Sequence, residues 1–220
     1  MLVYRGPSAI NGELIIAIVT GARRPSQNRK TGDMVQLWIL PADVDPVSAQ
    51  RTGADEAVCG DCPLRPSKRG GCYVVTFQGP LSTWRAYHDS VPDLDGACAA
   101  IARAGIPIRL GAYGDIAALP EGVVERLASA ATGHTGYTHQ WRQFPWARKY
   151  AQASVESGWD AYAAWRAGWR TYRIASTPMP GEARCSSDRM SCRECRACNG
   201  ATSNRVNAPH GKARRRLSML

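Results

Sequence analysis

The chain has no apolar run near the ~20 residues that a membrane-spanning helix needs. It also has no signal-peptide pattern. The opening "MLVYRGPSAINGELIIAIVTG" lacks a basic start and a long apolar centre, and Asn11, Gly12 and Glu13 interrupt it. The expectation is a cytoplasmic protein with no membrane contact. No glycine-rich phosphate loop ending in Lys-Ser/Thr occurs, and "GPS" at 6–8 is no nucleophile elbow. Nucleotide hydrolysis through a P-loop and serine hydrolysis therefore lack support. Internal repeats, low-complexity tracts and helix-turn-helix or other DNA-reading motifs are missing as well. What is present is 220 residues with 44% hydrophobic and 21% charged content, enough for one sizeable domain with a real core.

Short β-branched segments alternate with helix-like ones. Strands are predicted at 13–21, 34–40, 71–77, 106–115, 134–141, 150–157 and 170–176, and helices at 81–90, 94–105, 120–133 and 159–169. Gly105 reads as a C-cap, and Pro120 opens a well-punctuated helix. Trp159, Trp165 and Trp169 recur at helical spacing and read as core. Strands separated by helices predict an α/β fold of βα repeats, either an irregular or partial barrel or an open, mainly parallel sheet. Residues 1–178 form the α/β domain with a cysteine-bearing loop at 59–72. Residues 179–220 form a cysteine-rich metal-binding module with a basic tail. Ligands in such folds bind beyond the carboxyl ends of strands. That rule makes Asp115, His139 and Glu156 the catalytic candidates, although Asp115 also suits the cap of a turn.

Cysteine use is what sets this sequence apart. Of eight cysteines, Cys98 sits alone among alanines and reads as a small buried residue. The others fall in two groups: Cys59, Cys62 and Cys72 in "CGDCPLRPSKRGGC", and Cys185, Cys192, Cys195 and Cys198 in "CSSDRMSCRECRAC". In a reducing compartment clustered thiols are metal ligands or redox centres rather than disulfides. The C-x2-C-x2-C run at 192–198 wraps a larger object from three sides. This favours a [4Fe–4S] cluster with Cys185 as fourth ligand, and zinc is the alternative. The first group leaves a coordination position open, takes a non-cysteine ligand, or joins the second group. In a simple βα layout the two groups fall at opposite ends, which predicts two separate sites.

Net charge is +10, and Arg205, Lys212, Arg214, Arg215 and Arg216 lie in the last twenty residues with no acid among them. Together with Arg23, Arg24, Arg29 and Lys30 in "ARRPSQNRK", these are candidate contacts to nucleic acid or another polyanion. Arg184, Arg189, Arg193 and Arg196 surround the second cysteine group and offset the charge of metal-bound thiolates, which consumes part of the excess.

The set "NRKTGDMVQLWIL", "CGDCPLR", "GGCYV", "GAYGD", "HTGYTHQW" and "SCRECRACNG" resembles a family of bacteriophage and prophage proteins. The resemblance implies a phage setting and the cytoplasm of a bacterial host. A looser likeness, to radical S-adenosylmethionine enzymes, rests on a partial βα barrel, a three-cysteine group and Cys72 followed by Tyr73. It departs from their C-x3-C-x2-C run and lacks a Gly-Gly-Glu segment. Two expectations follow. One is a phage accessory protein that binds a metal or cluster and contacts nucleic acid or a host complex, including as an inhibitor of host defence or transcription. The other is an iron–sulfur enzyme with radical or redox chemistry.

Overall fold

The computed structural model describes residues 1–26, 28–200 and 206–208. The basic run Arg214, Arg215 and Arg216 lies outside the described residues.

The chain opens with a hairpin. β1 (Leu2–Pro7) pairs antiparallel with β2 (Leu14–Thr20), from Leu2 opposite Ile18 to Pro7 opposite Leu14. β1 is an addition to the expected strands. Its signal is the Asn11-Gly12 pair, with Gly12 at φ +82°, a left-handed turn position that glycine occupies without steric cost. β2 then pairs antiparallel with β3 (Val35–Pro41). Ile15, Ile16, Ala17 and Ile18 are all at 0% exposure, so β2 is buried on both faces, which is why it reads as an unbroken apolar run.

A long crossover follows β3. It contains α1 (Pro46–Thr52), α2 (Glu56–Cys59), the cysteine loop, α3 (Gly79–Tyr87) and α4 (Leu94–Ala104, capped by Gly105 at φ +62°), and it ends in β4 (Ile108–Tyr113). Three more units complete the run: α5 (Glu121–Ala130) with β5 (His134–Thr138), then β6 (Gln152–Val155), then α6 (Gly158–Arg166) with β7 (Thr171–Ile174). Last come β8 (Ala183–Arg184), α7 (Cys192–Cys195) and β9 (Val206–Ala208).

All pairing from β3 onward is parallel, and the sheet order is β1-β2-β3-β4-β5-β6-β7-β9-β8. A doubly wound sheet reverses its order at a switch point. Here β3 to β7 advance one way only. Crossovers between parallel strands are right-handed as a rule, and in a one-way run that rule puts the helices on one face. The fold is α/β, as expected, with the strand order of a partial barrel. Among the described residues no pairing joins β1 to β8, so the sheet is open.

Three local expectations are corrected. Residues 71–77 are not a strand: the Cys72 amide donates to the Leu64 carbonyl at 2.8 Å, which turns the segment back on its own loop, and no neighbouring strand pairs with it. Trp159 is 85% exposed and only Trp169, at 2%, is core; Trp165 is half-buried and donates its indole N–H to Thr171 Oγ1. Cys98 is half-buried rather than buried, with its thiol 3.7 Å from the Arg126 carbonyl.

Candidate metal centre

Strand residues two apart share a face. On β4 and β5 one face carries Ile108, Leu110 and Gly136. The other carries Arg109, Gly111, Tyr113, Thr135 and Tyr137, and with Ser154 of β6 and Tyr172 and Ile174 of β7 it lines a cavity of about 130 Å³. Both cysteine groups meet here. Cys59, Cys62 and Cys72 line this cavity, and so do Cys185 and Cys192. A smaller adjoining void is lined by Cys185, Cys192, Cys195 and Cys198 together, with Thr135 and Tyr137 shared between the two. Every cysteine except Cys98 therefore lines one or both of two neighbouring cavities.

The two groups border the larger cavity from different ends, the reverse of the simple βα layout. The 59–72 group sits beside Asp115 and His139, past the carboxyl ends of β4 and β5. The 185–198 group lies over Arg109 and Thr135, near the starts of those strands.

The 59–72 loop is held from within by Arg65, which is 3% exposed. Its Nε and Nη2 donate to Asp55 Oδ1 at 3.1 and 2.8 Å, and Nη2 also reaches the Gly53 carbonyl at 2.7 Å. Nη1 donates to the Gly60 carbonyl at 2.8 Å and to Glu56 Oε2 at 3.1 Å. All five guanidinium N–H groups are thus used. Gly60, at φ +56°, packs where a Cβ would fall 2.5 Å from the Gln140 side chain, and Gln140 Nε2 donates to the Cys59 carbonyl at 3.1 Å. Arg65 and Gln140 together fix the turn between Cys59 and Cys62.

Asp115 is buried, and its carboxylate serves the backbone. It accepts from the Ala117 amide at 3.0 Å and the His139 amide at 2.8 Å, while its own amide donates to the Val58 carbonyl at 2.7 Å. Burial raises its pKa despite these bonds. The capping role is the one realised. His139 does face the cavity: Nε2 lies 2.8 Å from Glu156 Oε1, and the ring also hydrogen-bonds the Cys62 sulfur. Burial alone would lower the His139 pKa, but the bonds to Cys62 and Glu156 outweigh it and hold the pKa well above its ordinary value. The three catalytic candidates thus form one chain, Asp115 to His139 backbone and His139 ring to Glu156, ending on a cysteine.

The 185–198 segment is stitched to the body from outside. The Cys192 and Arg193 amides donate to the Lys30 and Thr31 carbonyls at 2.9 and 3.1 Å, and Arg193 forms an ion pair with Asp33. The Gly136 amide donates to the Cys198 carbonyl at 2.9 Å, Gln152 Nε2 donates to the Ala197 carbonyl, and the His134 ring meets the Asn199 carbonyl. His134 is therefore a hydrogen-bonded histidine, not a ligand. A capping box between Ser191 and Glu194 starts α7 and aims the C-x2-C turn. The Tyr137 hydroxyl hydrogen-bonds Cys198. Burial, only partly offset by that bond, pushes the Cys198 thiol up to about 12, with Cys185, Cys192 and Cys195 adding to the rise. Burial likewise raises Cys59, Cys72 and Cys192, each further raised by cysteines of its own group. Thiolates crowded in this way repel one another, and a bound cation reverses the sign of that effect.

All eight cysteines are free thiols. Among the described residues no three cysteine, histidine or carboxylate side chains converge closely enough to hold a single ion. In both groups the sulfurs border a space rather than a point.

Four residues of the site escaped the sequence reading: Arg65, which braces the cysteine loop, and Arg109, Tyr113 and Tyr137, which line the cavity. For Arg109 and Tyr113 a signal exists, since they alternate with Ile108, Leu110 and Ala112, marking a strand with one unusual face. Of the basic candidates, Arg23, Arg24 and Arg29 are exposed, while Lys30 stands over the Tyr73 ring at 5.6 Å and lines the cavity. Among the described residues no helix is long and apolar enough to cross a membrane. Comparisons with protein-family models, curated proteins and solved structures give no match.

Proposed function

We propose that the protein is an iron–sulfur enzyme acting on a small molecule bound between two cysteine-held centres. Cys185, Cys192, Cys195 and Cys198 hold a [4Fe–4S] cluster in the smaller void. Cys59, Cys62 and Cys72, which line the larger cavity, would hold a second centre with fewer than four cysteine ligands. The observation that carries this reading is the meeting of both groups on one cavity with a polar, aromatic lining. A purely structural brace has no need of a cavity, and an open coordination position distinguishes a reactive site from a closed one. Two further features support it. The Tyr113 hydroxyl is buried beside Cys59 and Cys72 and has no hydrogen-bond partner among the described residues. His139, tied to both Glu156 and Cys62, stands ready to give or hold a proton at its ring nitrogen.

The cluster, when bound, supplies one-electron chemistry. The chain's own residues fix its surroundings: Arg65 and Asp115 hold the loop and the His139 backbone, Tyr137 donates to Cys198, and the 59–77 loop closes over the sheet. Anaerobic purification with iron, sulfide and zinc analysis tests the proposal. Iron with matching sulfide, at more than one cluster per chain, supports it. Stoichiometric zinc without iron would leave a zinc-braced binding protein instead.

A second reading, a phage accessory protein contacting nucleic acid or a host complex, is favoured by the exposed Arg23, Arg24 and Arg29 on one loop. Such contact would weaken steeply with salt, and binding indifferent to salt would remove it.

A further inference from the structure

One end of the cavity holds a guanidinium and an ammonium side by side. Arg109 stands in its wall on β4, and its Nη2 donates to the Tyr73 hydroxyl at 2.8 Å. Among the described residues no carboxylate pairs with it. A guanidinium carries five N–H donors in a planar fork that matches a carboxylate. The Lys30 ammonium lies over the same Tyr73 ring, so two cations share this end. Asp115, the acid in the cavity's lining, lies at the other end with its oxygens already engaged. Next to Arg109 stand Tyr137 and Tyr172, with ring centroids 4.5 Å apart and planes 55° from parallel, an aromatic wall rather than a polar one. The cavity's size, about 130 Å³, is close to the ~150 Å³ that takes a benzene ring. A phosphate would call on backbone amides as well. The α7 amides that could serve are occupied: Cys192 by the Lys30 carbonyl, Arg193 by the Thr31 carbonyl and Glu194 by the Ser191 hydroxyl.

We propose that this end of the cavity binds the carboxylate of a small aromatic acid, with Arg109 and Lys30 on the carboxylate and the Tyr137–Tyr172 pair against the ring. This names the substrate class of the enzyme proposed above and rests on that reading. The competing role for Arg109 is counter-charge to metal-bound Cys192.

Isothermal titration of the full-length, anaerobically purified protein separates the two, with 3-phenylpropanoate as probe, 3-phenylpropanol as its neutral analogue and inorganic phosphate as a third ligand. The acid is expected to bind at least about tenfold more tightly than the alcohol, and phosphate not to displace it. Arg109→Gln is expected to weaken the acid by about tenfold or more with iron content unchanged, and Lys30→Gln by about threefold. If Arg109→Gln does not fold, Lys30→Gln, at an exposed position, decides alone. Equal binding of acid and alcohol, no binding of the acid, or displacement by phosphate would overturn the proposal. So would loss of iron in Arg109→Gln with acid binding unmoved in Lys30→Gln. Acid binding by an iron-free protein would sink the iron–sulfur reading and leave the carboxylate site standing. Iron without acid binding would do the reverse.

Discussion

Arg65 holds the 59–72 loop from inside, with five hydrogen bonds to the carbonyl and carboxylate groups of four residues and one buried ion pair to Asp55. The 185–198 segment has no such internal brace. Its order comes from backbone bonds lent by the loop before β3 and by β5, plus a one-turn helix with its own cap. The two carry the same thiol chemistry yet differ in what folds them. A self-braced loop keeps its cysteines in place whether or not a metal is bound, which suits a site that must stay open. A segment leaning on its neighbours gains most from a cluster tying its four sulfurs together, because binding free energy there is folding free energy.

That contrast can be broken at its strongest point first. Arg65→Met would strand the buried Asp55 carboxylate, and breaking a buried pair costs about 3–5 kcal/mol. The expected fall in Tm is about 6–20 °C for a chain of this size. A fall under about 1 kcal/mol would mean that the loop is held by something else. Cys195→Ser is expected to cost less in the global melt, about 2 kcal/mol or 4–8 °C, while opening Arg193 and Arg196 to trypsin. A resistant segment would show that it needs no metal to stay ordered. His139→Gln, which loses the bond to a partly exposed Glu156, should lower stability by about 1 kcal/mol. Tyr113→Phe sharpens the comparison with the smallest effect. It removes a buried hydroxyl that has no partner, so it should raise the stability of the metal-free protein by about 0.5–1 kcal/mol. Destabilisation instead would mean that the hydroxyl is engaged.

Much of the fold was legible because β2 and β3 are largely apolar and rich in β-branched residues, and because Pro and Gly punctuate the helices that follow. The segment at 71–77 was misread for a physical reason: "CYVVTF" has strand composition, but strand formation needs a partner, and Gly70 and Gly71 let the chain fold back on Leu64 instead. β1 was overlooked because a hairpin signal of Asn11 and Gly12 was read only as an interruption of an apolar run. At the site, the cysteine spacings pointed to the right residues but could not reveal their common cavity. That depends on the crossover from β3 to β4 carrying one group past the strand ends, while the return to β9 carries the other over the strand starts. Arg65 gave no local signal, since its four partner residues lie between five and twelve residues away along an irregular loop.

The most direct measurement is iron and sulfide per chain in Cys62→Ser set against Cys195→Ser, each purified anaerobically beside the unaltered protein. Two separate centres on one cavity predict that each variant loses one centre's iron and keeps the other's, with sulfide falling in step. Complete loss in both variants would mean a single centre shared by the two groups. No loss in Cys62→Ser would leave the 59–72 loop without a metal and contradict the open site on which the proposed chemistry depends.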